Sequence, residues 1–109
     1  MEGGRKMFSL FQKIPTISTQ ELAEKLPDNI ELLDVRTPQE YRSGHIVKAK
    51  NVPLNKIGGY TAKADQVYVI CQSGMRSKQA AKVLSKKGYN VVNVRGGMNL
   101  WIGKTVGGK

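Results

Sequence analysis

Residues Val67-Tyr68-Val69-Ile70 form an apolar run without polar alternation, and a helical pattern begins shortly after it ends. A strand that is apolar on both sides must be covered on both sides, which favours a parallel sheet between helical layers over a hairpin with one wet face. Leu32-Leu33-Asp34-Val35 and Val91-Val92-Asn93-Val94 read as further buried strands, while Gln66 to Ile70 is the span of the strand just described. Helix signals separate them. Ser18-Thr19-Gln20-Glu21 has capping-box spacing and predicts a helix through Lys25, closed off by Pro27. Thr37-Pro38-Gln39-Glu40 repeats the box with proline at the first helical position. Ala80, Ala81, Val83 and Leu84 supply the apolar stripe of a third helix, with Lys78, Lys82 and Lys86 on its polar face and Gly88 as its stop. The expected class is α/β: a small parallel sheet with helices on both faces. Sites in such folds lie beyond the carboxyl ends of the strands.

One of those ends carries the chain's only cysteine. The run Cys71-Gln72-Ser73-Gly74-Met75-Arg76-Ser77 links the Val67–Ile70 strand to its helix. Backbone N–H groups of a tight strand-to-helix turn converge on one point, and the helix dipole adds roughly half a positive charge there. Arg76 brings a full charge, so the loop is expected to favour thiolate over thiol at Cys71. A lone cysteine after a Val/Ile-rich strand also has a plain reading, as a small buried hydrophobe. The neighbours argue against it: Gly74 permits the positive φ of a closed loop, and Ser73 and Ser77 place hydroxyls at the rim. Gln72 and Met75 complete the loop, Met75 as a candidate pocket wall.

The segment resembles the active-site loop of the rhodanese family of sulfurtransferases, and the resemblance extends along most of the chain. Leu33-Asp34-Val35-Arg36-Thr37-Pro38-Gln39-Glu40-Tyr41, then Gly44-His45-Ile46 and Asn51-Val52-Pro53-Leu54, are similar to the family's first signature. Gly88-Tyr89 and Val94-Arg95-Gly96-Gly97 with Trp101 are similar to the segment after its active-site helix. Where the family often carries Pro-Gly-Ala, this chain has Val47-Lys48-Ala49. The resemblance implies a rhodanese-like fold and sulfur as the cargo. A Cys71 persulfide would be loaded from thiosulfate or a protein persulfide donor and discharged to a thiol or cyanide acceptor. It implies no cofactor and no metal. A neighbouring reading is a persulfide carrier or docking module without turnover, serving a sulfur-trafficking partner. A third is a cysteine phosphatase or arsenate reductase, whose loop has five residues between Cys and Arg where this one has four, Gln72 to Met75.

Around the loop, Asp34 and Arg36 lie two apart at a strand end and share a face, so they are expected to pair or brace loops. Arg36 and Arg42 are also candidates for the pocket mouth, drawing in an anion. His45 is read as a structural hydrogen-bonder rather than a base, and Trp101 and Tyr89 as core or lid packing.

At 109 residues the chain suits one modest core. The expected organisation is an N-terminal arm at 1–14, partly flexible, a rhodanese-like domain at 15–103, and a flexible tail at 104–109, with Gly3-Gly4 and Gly107-Gly108 as appendages. Met7-Phe8-Ser9-Leu10-Phe11 is too short for a signal-peptide core, and no stretch reaches membrane-spanning length. One cysteine forms no internal disulfide and no cysteine-cluster metal site, and a reactive thiol suits a reducing compartment, the cytoplasm. The net charge is +10, and residues 41–109 hold thirteen Lys or Arg against the single acid Asp65. Such a surface concentrates thiosulfate or an acidic protein partner. Nucleic acid is the weaker alternative, because no Arg-rich helix with interleaved aromatics is present.

Overall fold

The structure, a computed structural model, describes residues 14–109, so the expected arm, with its Gly3-Gly4 and Met7–Phe11 segments, lies outside the described residues but for Ile14. The capping boxes act as written. Ser18 accepts from the Glu21 amide and opens α1 (Thr19–Lys25), and Thr37 accepts from the Glu40 amide and opens α2 (Pro38–Arg42), with Pro38 in its first turn. In both, the glutamate returns a bond to the cap backbone, satisfying amides that a helix start leaves without partners.

Three parallel strands follow from the apolar runs, β2 (Glu31–Asp34), β4 (Gln66–Ile70) and β5 (Asn90–Val94), and two short ones that no apolar run announced, β1 (Thr16–Ile17) and β3 (Lys50–Asn51), complete the sheet. Their order across the sheet is β1-β5-β4-β2-β3, which places β4 in the centre. Register pairs Leu33 with Val69 and Val69 with Asn93.

Alternation along each strand splits the core in two. Leu33, Val35, Val67, Val69, Cys71 and Val91 point to one side, where a 3-10 helix (Leu54–Gly59) and α3 (Met75–Lys86) bring Ile57, Ala80, Ala81 and Leu84 onto them. Leu32, Tyr68, Ile70, Val92 and Val94 face the other side and meet Leu22 of α1, with Ile46 and Trp101. The doubly covered sheet read from the apolar runs is therefore present. Cys71 continues the Val67 and Val69 period, so the strand's own pleat delivers it to the α3 side. Fully burying a leucine such as Leu33 or Leu84 contributes about 1.5–3 kcal/mol each.

Two details depart from the sequence reading. Val83 is not in the stripe of α3: Ser77, Ala80, Ala81 and Leu84 are the buried positions, and Val83 is 36% exposed, about a quarter turn or more away. Residues 104–109, expected as a flexible tail, carry backbone pairing. Val106 exchanges both bonds with His45 (2.9 and 2.8 Å), and Gly108 N donates to Arg42 O at 2.8 Å. The reason is accounting: His45 is buried, and its N–H and C=O need partners that no strand supplies. The Val47-Lys48-Ala49 variant closes its turn by a bond from Ala49 N to Ile46 O at 2.8 Å. Among the described residues, no helix is long and apolar enough to cross a membrane.

Candidate active site

The site forms where β4 ends and α3 begins. Gly74 takes φ +103° and serves as the cap of α3, so the chain reverses within three residues of Cys71. That conformation is one only glycine adopts cheaply. The reversal aims the Gly74 amide at Cys71 Sγ, to which it donates at 3.0 Å. The thiol donates to Ser77 Oγ at 3.3 Å while that hydroxyl donates to the Gly74 carbonyl at 3.2 Å; when Cys71 ionises, the same hydroxyl rotates to give its single proton to the sulfur. Cys71 is buried, and burial pushes a thiol's pKa up. Hydrogen bonds from the Ser77 side chain and from the backbone of Ser77, Gly74 and Ser73 outweigh it and hold the Cys71 pKa below the ordinary value. A thiol kept only as packing would show the first effect without the second.

Arg76 does not bond to the sulfur. Its Nη1 donates to Glu40 Oε1 at 2.7 Å and its Nη2 to Glu40 Oε2 at 3.0 Å. The fork ties the first turn of α3 to α2. The guanidinium beside it, then burial opposing, then the Thr37 amide set the Glu40 carboxyl, with its pKa pushed down to about 2. The same carboxylate pushes the Arg76 pKa up. Arg76 thus supplies positive potential near the loop from a fixed post.

Asp34 and Arg36 pair as their spacing suggests. Arg36 Nη2 meets Asp34 Oδ2 at 2.8 Å, and Arg36 Nε lies 3.0 Å from Oδ1. Arg36 also donates through Nη2 to Gly44 O at 2.7 Å and through Nη1 to Gln72 Oε1 at 3.1 Å. With 4% of its surface exposed, Arg36 is not an anion collector at the mouth, because its donors are spent on the scaffold. Arg42 is exposed in the last turn of α2 and makes no hydrogen bond to the loop among the described residues. His45 is buried, donates through Nδ1 to Tyr41 O at 2.7 Å and stacks on the Tyr41 ring at 3.5 Å, as a structural residue does. Met75 is 69% exposed, at the first position of α3. Trp101 and Tyr89 pack on opposite core layers.

The sequence reading missed the far wall of the loop. The short helix α4 (Gly97–Leu100) sets Met98 N on Cys71 O at 2.8 Å and Asn99 N on Gln72 O at 2.9 Å. Gln72 Nε2 donates to Asn99 Oδ1 at 2.7 Å. A Cβ at Gly97 would collide with the Cys71 carbonyl oxygen and stand 2.9 Å from Gln72 C, so only glycine lets α4 approach this closely. The Gly96-Gly97 pair was the available signal. Among the described residues, no group of three or more His, Cys, Asp or Glu is placed to hold a metal ion.

A parallel sheet that presents a hydrogen-bonded cysteine at the end of its central strand, in a glycine-capped loop at a helix start, defines a class of α/β domains built around a strand-end thiol. Within that class the chain belongs to the rhodanese-like domain family, whose model matches residues 18–104. It is 40% identical over 98 residues to a Bacillus subtilis protein, YtwF, whose name proposes a sulfurtransferase, covering 85% of this chain and 95% of that one. It is 32% identical over 97 residues to the thiosulfate sulfurtransferase GlpE of Pseudomonas putida, covering 85% and 86% respectively. A rhodanese-like domain protein from Staphylococcus aureus superposes with a TM-score of 0.72 at 33% identity, over 83% of this chain and 92% of that one. The chain spans 60% of the length of a further Bacillus subtilis relative, YrkF, 34% identical over 110 residues, whose name proposes a sulfur carrier protein.

Proposed function

We propose that the chain is a sulfurtransferase that moves sulfane sulfur through a Cys71 persulfide. The observation that carries the reading is the cradle on Sγ: the Gly74 amide at 3.0 Å and Ser77 Oγ at 3.3 Å, with a thiol pKa held low despite burial. In the first step the Cys71 thiolate attacks the outer sulfur of thiosulfate. The new S–S bond forms as the old one breaks, and sulfite leaves with the bonding pair. The terminal sulfur of the persulfide carries the negative charge, and the loop N–H groups that favoured thiolate also favour this anion. In the second step a thiolate or cyanide attacks that terminal sulfur, and Cys71 leaves as thiolate. Neither step consumes a proton or an external electron, and neither calls for a general base, since the nucleophile is already ionised.

The donor in this reading is thiosulfate or a protein persulfide, and a reactive thiol without a second cysteine suits the reducing cytoplasm. Arg76 and Glu40 fix the frame of the loop, while Arg36 and Gln72 brace it from β2. The test is an intact-mass spectrum after exposure to thiosulfate. One added sulfur on the parent protein and none on Cys71→Ser is the expected result; no added sulfur from thiosulfate or from a desulfurase overturns it. Loading from a desulfurase alone favours the carrier reading, to which the relative named as a sulfur carrier lends support.

A further inference from the structure

We propose that the outward face of α3, from the loop to its last turn, is a docking surface for an acidic protein that exchanges sulfur with Cys71. The inference rests on the sulfur-transfer reading for the purpose of docking, but the surface itself is argued from composition and place. Opposite the buried stripe of Ser77, Ala80, Ala81 and Leu84, the helix presents Met75, Lys78, Lys82, Val83 and Lys86 on one contiguous face. Met75 is 69% exposed at the end nearest Cys71. Leu100, 58% exposed, lies on α4 against Gly96. A Cβ on Gly74 would lie 3.3 Å from Gly96 N, and one on Gly96 would collide with the Leu100 side chain, so Gly74, Gly96 and Leu100 are in sequence of contact.

Apolar side chains at the loop with lysines outward is the composition of an interface centre and its rim, in which methionine is enriched. Thiosulfate has no use for Met75 and Leu100; a macromolecule does. Its charge follows from the absence of compensation. Residues 66–109 contain eight Lys or Arg and no Asp or Glu, and among the described residues the one carboxylate bonded to α3, Glu40, is consumed by Arg76. An acidic protein face therefore meets lysines that pair with no carboxylate among the described residues, and the field orients its approach toward the loop. Nucleic acid fits less well, since α3 carries no aromatic side chain on which a base would stack and reads by lysine rather than arginine.

The experiment uses two labelled synthetic peptides of equal length, each with one central cysteine flanked by leucine. One is otherwise rich in Asp and Glu, the other in Lys. Anisotropy with the full chain is expected to show the acidic peptide binding at least about tenfold more tightly at low salt, with the difference shrinking near about 0.3 M salt. Lys78→Glu with Lys82→Glu, on an exposed face and checked for folding by circular dichroism, is expected to erase or invert the preference. Leu100→Ser is expected to weaken binding of the acidic peptide about threefold or more. Equal binding of the two peptides, or an unchanged preference in the charge-reversed variant, overturns the surface; so does a short oligothymidylate that binds more tightly than the acidic peptide. Thiosulfate loading of the same proteins, read by intact mass, is a separate arm. Its failure would remove the sulfur reading while the anisotropy still decides the docking surface.

Discussion

Arg76 and Glu40 face each other across 36 residues of chain in a two-bond fork, Nη1 to Oε1 at 2.7 Å and Nη2 to Oε2 at 3.0 Å. Each side chain is 34% exposed, so solvent screens the pair and its worth is about 1 kcal/mol or less. The Glu40 pKa is pushed down to about 2 in the fold, below its unfolded value. A depressed carboxyl contributes stability above the unfolded pKa and loses it as pH falls through the folded one. Glu40→Gln keeps the capping box but not the charge. Urea unfolding is expected to show the variant less stable by up to about 1 kcal/mol at neutral pH, with the gap closing as the pH falls from about 4.5 toward 2. A gap unchanged over that range would contradict the pairing.

Ser77 is the side chain whose hydroxyl sits on Cys71 Sγ, and its hydrogen bond heads the contributions that lower the thiol pKa against burial. Ser77→Ala removes that bond and leaves the loop amides. The pH midpoint of Cys71 alkylation is expected below that of a free cysteine in the parent protein and above the parent's own midpoint in the variant. Identical midpoints would mean that the amides alone set the thiol.

What was readable in advance divides along chain distance. The two capping boxes, the span Gln66–Ile70 and the cysteine loop depend on neighbours within a turn or a pleat, and each shows in residue order. The partner of Arg76 does not, because Glu40 reaches it only after β2 and β4 pair and carry α2 alongside α3. Asn99 was hidden for the same reason, being brought under the loop by the β4–β5 pairing, and Gly97 showed as half of a glycine pair but not as a neighbour of Cys71. Arg36 was legible as a partner of Asp34 but not as a donor to Gln72 and Gly44, which lie on other segments.

Gly97 has φ +58° and stands against the Cys71 carbonyl. Gly97→Ala adds a Cβ where backbone already stands and requires α4 to withdraw. The Met98 and Asn99 amides then lose the Cys71 and Gln72 carbonyls. A loss of about 1–3 kcal/mol in thermal or urea unfolding is expected, with sulfur loading falling about tenfold or more as the loop loses its far wall. Full activity in the alanine variant would show that the wall does not position the loop.

Arg36 and Asp34 are both buried, and among the described residues the carboxylate takes its side-chain bonds from this one guanidinium. Arg36→Ala leaves Asp34 charged and unpaired inside the protein, so a loss of roughly 3–5 kcal/mol is expected in urea unfolding. Arg36→Ala with Asp34→Ala removes the orphaned charge and is expected to recover part of that loss. A single variant as stable as the parent would deny the pair its structural role.

Four residues separate Cys71 from Arg76, and the loop closes with the Gly74 amide on Sγ. A ring of that size has its donors directed at sulfur on the cysteine rather than spread around a tetrahedral phosphoryl group. The expected activity is thiocyanate production from thiosulfate and cyanide, with negligible hydrolysis of aryl phosphates. Inserting one glycine between Met75 and Arg76 displaces donors by about 1 Å from where charge develops and is expected to lower the transfer rate by about a hundredfold. The Arg76–Glu40 fork gives the control: circular dichroism and unfolding report whether the insertion has merely melted the start of α3. A folded insertion variant with parental transfer, or aryl phosphate turnover by the parent protein without a detectable persulfide, would refute the assignment of loop size to sulfur.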